Sequence, residues 1–486
     1  MNMVMPENRL EKKIASGLFW TFAERIFAQG VSFFVSILLA RLLLPDEYGA
    51  VSMTMVFIAL ANVLVANGLG EALIQKKDSS ETDFSTIFIC ALLFSAILYC
   101  IVFIAAPFIS QFYGLDITAL LRVLALKIPL AAINSIQHAY IAKHMIFKKM
   151  FWATSFGTVT SGFVGVGAAL SGAGAWALVA QYLTNSIIDT CVLLIVLPWR
   201  PQFVFDKSSA KEMIPYGWRI MISSLINTAF NEARSLVIGK VYTSADLAFY
   251  QKGNQIPALV INNVDTAIGK VVFPAMSSVN DDLVRLKEMA RKFVRMSAFV
   301  IFPIMLGLFS TADRIIVLLL TEKWIPATFF LRLACVFYAL QPLQTADWQI
   351  IKAMGRADLC VRLETIKKVI GLVLLVISAF ISVEAVGISS VITAMMSVLI
   401  NMIPAKKLVD YSVKEHFKDI SKTVIASVCM IVVVYAVDRV ISSILLGLIV
   451  QVTCGIIVYL AVSKLIKNTA LDGVIDILIK LVKRGG

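Results

Sequence analysis

The run IASGLFWTFAERIFAQGVSFFVSILL, from Ile14 to Leu39, decides how the rest of the chain is read. A helix needs about 20 apolar residues to cross the hydrocarbon core of a bilayer, and this run supplies them with only Glu24 and Arg25 as charges inside it. Lys12 and Lys13 precede it, as they would a signal peptide, but it has no small-residue cleavage site and runs on too far for one. It is expected to be a first membrane span retained in the mature protein.

Working outward, the same character holds throughout. The 486 residues are 59% hydrophobic and 15% charged, with a mean hydropathy of +0.86, which excludes a soluble globular domain. The net charge of +13 lies in short clusters between apolar runs, where it suits anionic headgroups rather than nucleic acid. Cys90, Cys100, Cys191, Cys335, Cys429 and Cys454 sit in apolar runs and Cys360 in a polar loop, so no disulfide framework or metal spacing is seen. His138, His144 and His416 lie near basic loop residues, too scattered for a metal site, and are expected to be solvated.

Spans are expected near 14 to 40, 50 to 67, 84 to 106, 117 to 137, 152 to 171 and 174 to 197. A second series follows near 216 to 240, 255 to 274, 296 to 320, 328 to 350, 367 to 383, 385 to 403, 419 to 437 and 441 to 463. This is an all-α polytopic membrane protein of about 14 transmembrane helices. With a cytoplasmic N-terminus, one side collects Lys12 and Lys13, Lys76 and Lys77, Lys143 to Lys149, Arg200 to Lys211, Arg285 to Arg295, Lys352 to Lys368 and Lys406 to Lys418. The other holds little beyond Arg41, Lys240, Lys252, Arg314, Lys323 and Arg439. Cationic loops resist translocation, so both termini are placed inside. Beyond Lys464, Asp472, Asp476, Lys480 and Lys483 form one helical stripe, which predicts a short interfacial helix on the cytoplasmic leaflet.

The chain also repeats itself at an offset near 200 residues. Trp20 and Trp218 open equivalent spans, and Ala40-Arg41 before Pro45-Asp46-Glu47-Tyr48-Gly49 is echoed by Gly239-Lys240 before Ser244-Ala245-Asp246-Leu247-Ala248. Leu121-Arg122 matches Leu331-Arg332, and Pro198-Trp199-Arg200 matches Pro404-Ala405-Lys406. An even number of spans per repeat relates the halves by an axis along the membrane normal. The expected organisation is two pseudo-symmetric six-helix lobes, residues 1–208 and 209–410, plus two C-terminal helices and a cytoplasmic tail in 411–486.

The segment Leu38-Leu39-Ala40-Arg41-Leu42-Leu43-Leu44-Pro45-Asp46-Glu47-Tyr48-Gly49, followed by Gly68-Leu69-Gly70-Glu71-Ala72-Leu73-Ile74-Gln75, resembles the polysaccharide flippase family of Wzx type. That family belongs to the multidrug/oligosaccharidyl-lipid/polysaccharide exporter superfamily, and the colanic acid branch is the most similar. The resemblance implies a bacterial inner-membrane carrier that turns over undecaprenyl-diphosphate-linked oligosaccharide repeat units by alternating access. Spans 1, 2, 7 and 8 would line its central cavity. A polysaccharide polymerase and a chain-length regulator are the partners it implies.

Charge inside a bilayer is costly and usually faces a cavity or a partner. Span 1 carries Glu24 and Arg25, span 7 carries Glu232 and Arg234, and span 8 carries Asp265 and Lys270, whereas most other spans are nearly empty. Arg25, Gln29, Ser32 and Ser36 share one helical face; Ser223, Asn227, Phe230 and Arg234, with Asn231 beside them, share another. A diphosphate needs cations and a glycan needs neutral amides and hydroxyls. Arg25 and Arg234 are therefore expected at the diphosphate, with Gln29, Asn227 and Asn231 at sugar. Glu24 with Arg25, and Glu232 with Arg234, also read as polar pairs formed in folding. Glu71 and Lys270 read either as a cytoplasmic gate or as two snorkelling interfacial charges. Asp265 reads either as the site of a coupling ion, H+ or Na+, or as half of a salt bridge; Lys127 and Asp189 are further buried charges.

Pro129, Pro257, Pro303 and Pro342 fall inside expected spans, Gly162, Gly165, Gly167, Gly172 and Gly174 are expected to let spans 5 and 6 approach, and Trp20, Trp152, Trp199 and Trp218 are expected as interfacial anchors. No metal, cofactor or catalytic residue is expected. A membrane polymerase or ligase would need a carboxylate or histidine cluster or a large outward loop, and nucleotide hydrolysis would need a Gly-rich phosphate loop with its lysine. A multidrug or small-molecule cation antiporter shares the superfamily architecture, but a cationic cavity disfavours cationic drugs.

Overall fold

The computed structural model describes residues 7–474, with side chains over 16–263 and 272–474. The side-chain contacts expected of Asp265 and Lys270, and the tail stripe through Asp476, Lys480 and Lys483, lie outside the described residues. Among the described residues every regular element is helical. Two compact units divide the chain, Met1–Ala248 and Phe249–Gly486.

The first unit holds α1 (Glu7–Leu42), α2 (Pro45–Ala66), α3 (Leu69–Gln75), α4 (Glu81–Tyr113), α5 (Thr118–Leu124), α6 (Lys127–His144), α7 (Phe147–Leu170), α8 (Ala175–Val196) and α9 (Lys207–Val241). Helix α10 (Ser244–Ser277) starts there and runs into the second unit. That unit continues with α11 (Leu283–Ser310), α12 (Ala312–Leu320), α13 (Ala327–Ala339), α14 (Gln341–Ala353), α15 (Ala357–Ala379), α16 (Val383–Val409), α17 (Val413–Val440) and α18 (Ile444–Leu465). The expected lobe boundary at 208 is a boundary of the sequence repeat. By contact, α9 packs on α2, α3 and α4 and so falls with the first unit.

Among the described residues, ten helices or interrupted helix pairs are long and apolar enough to cross a membrane. The other four expected spans fall on α9, α10, the broken pair α13 and α14, and α15, which are not among these ten. The outer faces are studded with aromatic and branched side chains. Phe163 and Ile195 are 76% and 75% exposed, a surface that only hydrocarbon would solvate.

Serine and aspartate start the helices where the sequence offers them. Ser80 Oγ accepts the Asp83 N–H at 3.2 Å while the Asp83 carboxylate accepts the Ser80 N–H at 2.8 Å, a reciprocal cap on α4. The internal repeat is visible in these details. Glu47 accepts the Leu44 N–H at 2.8 Å at the start of α2, and Asp246 accepts the Thr243 N–H at 3.1 Å at the start of α10. Arg122 donates to the Phe103 carbonyl at 3.2 Å with its guanidinium over the Phe103 ring; its counterpart Arg332 donates to the Phe309 carbonyl at 3.4 Å over the Phe309 ring. Pro129 and Pro342 stand in the first turns of α6 and α14 rather than inside a continuous helix. Proline lacks an N–H and suits a first turn, so each marks where a span breaks in two.

Helices in lipid gain little from apolar burial against one another, so close packing and polar contacts hold them together. A Cβ at Gly165 would lie 2.8 Å from Gln181 Cβ on α8, as expected for spans 5 and 6, whereas one at Gly162 would lie 2.6 Å from Val35 Cγ2 on α1. Gly167 and Gly172 face open space, so they set no approach distance. Hydroxyls on α16 bond their own helix: Ser389, Ser390, Thr393 and Ser397 donate to the carbonyls of Val386, Gly387, Ser389 and Thr393 at 2.6 to 2.8 Å.

Two further expectations are corrected. Trp199 is not an interfacial anchor: it is 3% exposed and packs on Phe84 and Tyr140. His416 is not solvated but wholly buried, because the loop before α17 folds its ring against Tyr411. The described start of the tail docks on protein: Asn468 donates to Thr423 Oγ1 at 3.1 Å, and Ala470, Leu471 and Val474 join a core cluster with Phe299, Met430 and Tyr459.

Candidate functional site: a polar cavity in the first unit

Helix α2 ends at Ala66, and the chain turns through Asn67 and Gly68 before α3 resumes. Gly68 has φ +106°, and a Cβ there would lie 2.4 Å from the Gly217 carbonyl of α9, so both conformation and space demand glycine. The break frees carbonyls, and α6 satisfies them. Ser135 Oγ donates to the Ala66 carbonyl at 2.8 Å, while Lys143 Nζ donates to Ile74 at 3.2 Å and also to Leu73 and Lys76, neutralising the carbonyl end of α3. Helix α6 thus holds the end of α2 and the end of α3, and Glu71 of α3 stands at the rim of a cavity.

That cavity measures about 510 Å³ and is lined by Asn62, Glu71, Lys127, Asn134, Ser135 and His138, among others. Lys127, Asn134 and His138 fall on one face of α6 at helical spacing. Lys127 Nζ lies 5.0 Å above the centre of the Tyr182 ring; among the described residues no carboxylate lies within ion-pair distance of it. Behind the cavity wall, α8 brings Asp189, whose Oδ2 accepts from Asn134 Nδ2 at 3.3 Å and lies 3.7 Å from His138 Nε2. Thr190 Oγ1 donates to Asn134 Oδ1 at 2.8 Å, fixing the amide so that its NH2 faces Asp189. Asp189 Oδ1 and Asn62 Oδ1 are buried, and among the described residues neither has a hydrogen-bond partner. Glu24 on α1 is within electrostatic reach of His138 and Asp189 as well as Arg25.

Asp189, a lone buried charge in sequence, thus stands beside Asn134 and His138, with Glu24 of span 1 within electrostatic reach. His138 and Asn134 were missed. His138, expected to be solvated near basic loop residues, sits within α6, and its shared face with Lys127 is the available signal. Arg25 and Gln29 are half-buried on α1, Glu232 and Arg234 half-buried on α9, and Asn227 and Asn231 exposed on α9. Arg25, Gln29, Asn227 and Arg234 all make contacts of their own within the protein, and Glu232 hydrogen-bonds Ser235 one turn on. Helix α1 packs chiefly on α7, and α9 on α2.

Outside the apolar zone, Lys76 bridges Asp83 at 3.1 Å and Glu212 at 3.0 Å, and the Glu212 hydrogen bond pushes its pKa up. Ser209 Oγ sits 2.6 Å from Asp206, whose carboxylate also accepts the N–H groups of Ser208 and Ser209 at 3.0 and 3.1 Å. The Ser209 hydroxyl foremost, then those N–H groups, hold Asp206 below the usual carboxylate range.

Residues 38–329, more than half the chain, match the family described as polysaccharide biosynthesis protein. The chain belongs to that family. Two relatives extend the match over most of the sequence. The teichuronic acid biosynthesis protein TuaB of Bacillus subtilis is 24% identical over 88% of this chain and 90% of its own length. The succinoglycan biosynthesis transport protein ExoT of Rhizobium meliloti is 24% identical over 64% of each. In fold, the chain is similar to the lipid II flippase MurJ in an inward closed conformation, with a TM-score of 0.75 at 15% identity over 93% of this chain and 100% of that one. The polysaccharide biosynthesis family therefore uses here an all-helical transporter fold, as the segment around Arg41 to Gly49 implied.

Proposed function

We propose that this protein is a flippase that carries undecaprenyl-diphosphate-linked oligosaccharide repeat units across a bacterial inner membrane by alternating access, for exopolysaccharide or surface polysaccharide synthesis. The observation that carries this reading is a polar, lysine-bearing cavity inside a lipid-coated helical unit of a chain in the polysaccharide biosynthesis family. Cations suit a diphosphate and amides suit sugar, so Arg25 and Arg234 are assigned to the diphosphate and Gln29, Asn227 and Asn231 to the glycan. Glu71 and Lys270 are assigned to a cytoplasmic gate. The asymmetry of basic loops supports cytoplasmic N- and C-termini. A polymerase and a chain-length regulator are the downstream partners.

Export against a gradient needs a coupled ion, and His138 with Asp189, and Glu24 within electrostatic reach, suit a proton; Asp265 is a further candidate for that ion. The His138 cluster has two carboxylates and an imidazole in reach of each other, and a buried carboxylate oxygen without a hydrogen bond. Glu232 is a second acidic group of the same coupling path. Deleting the protein should cause lipid-linked repeat units to accumulate, read by mass analysis, and the wild-type chain should clear them. Arg25→Ala, Arg234→Ala and Asp189→Asn chains present in the membrane at normal levels should clear only a small fraction. Accumulation of a small-molecule cation with normal lipid-linked sugar would replace this reading by an antiporter; full clearance by all three variants would remove the site assignment.

A further inference from the structure

Asp347 on α14 and His416 on α17 have no solvent exposure at all, and they touch: His416 Nε2 lies 2.9 Å from Asp347 Oδ1. The other ring nitrogen, Nδ1, lies 2.9 Å from the backbone carbonyl of Ser412. The Tyr411 ring stacks on the imidazole with centroids 3.5 Å apart, closing one face. Asp347 Oδ2 is buried and, among the described residues, has no hydrogen-bond partner.

The proton count follows from the partners. A backbone carbonyl can only accept, so Nδ1 must carry a hydrogen. A bare Nε2 facing a bare carboxylate oxygen at 2.9 Å would set two lone pairs against each other, so a hydrogen lies there too. It sits either on the ring, giving imidazolium and carboxylate, or on Asp347, giving a neutral ring and a carboxylic acid. Both arrangements hold one proton more than a neutral imidazole beside an ionised carboxylate. Burial points the same way, since an uncompensated charge at a fully buried site costs several kcal/mol, on the order of what a whole fold can spare.

We propose that Asp347 and His416 form a proton-binding site, taking its proton from bulk water and returning it there, and that the bound proton fastens α17 to α14. Helix α17 begins the hairpin that lies outside the internal repeat, so the site joins that hairpin to the duplicated part of the second unit. When the proton leaves, either the Ser412 or the Asp347 hydrogen bond goes with it, and a buried carboxylate is left without its only charge partner.

The other charged groups around the pair are engaged elsewhere. Tyr411 Oη donates to Asp419 Oδ2 at 2.9 Å, and Asp419 takes both Arg291 Nε and Nη2, at 2.8 and 2.9 Å, with Arg295 at 3.5 Å. Glu415 pairs with Lys287 and Arg291. On α14, Lys352 lies over the Trp348 ring, as does Lys367 of α15, which also pairs with Glu364. Lys406, Lys407 and Asp410, at the end of α16, are all exposed. His416 is the one group that bonds Asp347 among the described residues.

The test uses the full chain in detergent with 15N-labelled histidine, the His416 signals being assigned with His416→Gln against the two remaining histidines, His138 and His144. Near neutral pH, His416 is expected to show two protonated ring nitrogens. A neutral ring protonated at Nδ1, with an infrared carboxylic acid band that Asp347→Asn removes, supports the proposal equally, because the proton then sits on Asp347. A neutral ring with no such band overturns it. A second readout is thermal unfolding across pH. Stability linked to a bound proton falls as pH rises, so the wild type should lose midpoint on the alkaline side. Asp347→Asn, whose amide can donate to a neutral ring and keep both hydrogen bonds, should lose that alkaline shift. An Asp347→Asn chain that follows the wild-type alkaline curve counts against the proposal; where this variant does not fold, the wild-type spectrum decides.

Discussion

Ser244 donates its hydroxyl to Asp46 Oδ1 at 2.7 Å, joining the first turn of α10 to the first turn of α2. The backbones are closer still, for a Cβ at Gly49 would lie 1.8 Å from the Ser244 carbonyl. The two turns are equivalent in the internal repeat, so their contact is where one repeat meets the other at this end of the first unit. Cysteines at both positions, Asp46→Cys with Ser244→Cys, should cross-link in membranes under oxidant or a short thiol linker. Export should stop and return on reduction. Complete cross-linking with undiminished export would show that this contact never opens during transport.

Gly68 makes the matching close approach further along α2. Gly68→Ala adds a Cβ against Gly217 and forces a left-handed conformation on alanine. Overpacking and conformational strain each cost about 1–2 kcal/mol, so a loss of roughly 2–4 kcal/mol is expected. It should appear as a lowered unfolding midpoint of the purified chain and a reduced amount in the membrane. A midpoint within error of wild type would mean that α2 and α9 can part at little cost.

The cap on α9 should give way in acid. Asp206 titrates below the usual carboxylate range because it accepts from Ser209 and Ser208. For a depressed carboxylate the stabilisation is fully present above the unfolded-state value and is lost as pH falls through the folded-state value. Unfolding midpoints should therefore drop below about pH 4, and Asp206→Asn should show a shallower acid decline than wild type. Parallel acid curves for the two chains would assign the decline to other carboxylates.

Arg314 and Gly447 should behave as one unit. Arg314 donates to the Asp438 carboxylate at 2.7 Å and to the carbonyls of Asp438, Ile441 and Ser443 at 3.2, 2.5 and 3.1 Å, tying the turn between α17 and α18. A Cβ at Gly447 would fall 1.2 Å from its guanidinium. Arg314→Ala should cost about 2–3 kcal/mol, read as unfolding or as faster proteolysis in the turn. Gly447→Ala should cost a similar amount, and the double variant should cost less than the sum. Additive losses would place the two residues in separate roles.

Much of this architecture was legible because membrane solvation writes itself as long apolar runs, and each expected span lands on a helix or an interrupted pair. The repeat was legible from short polar words, and Glu47 with Asp246, or Arg122 with Arg332, perform the same local task in each copy. What escaped the sequence depends on tertiary contact. His138 and His416 look alike beside lysines, yet one lines a cavity and the other is sealed under Tyr411. The site cluster draws on α6 and α8, and no spacing within one helix reveals that Asn134 and His138 meet Asp189.

The serine and threonine hydroxyls of α16 bear on how that helix bends. Ser389, Ser390, Thr393 and Ser397 each donate to a carbonyl one turn back on the same helix, and this back-bonding softens the rod itself. A shaft weakened in this way along one stripe can bow where an all-apolar rod would stay straight.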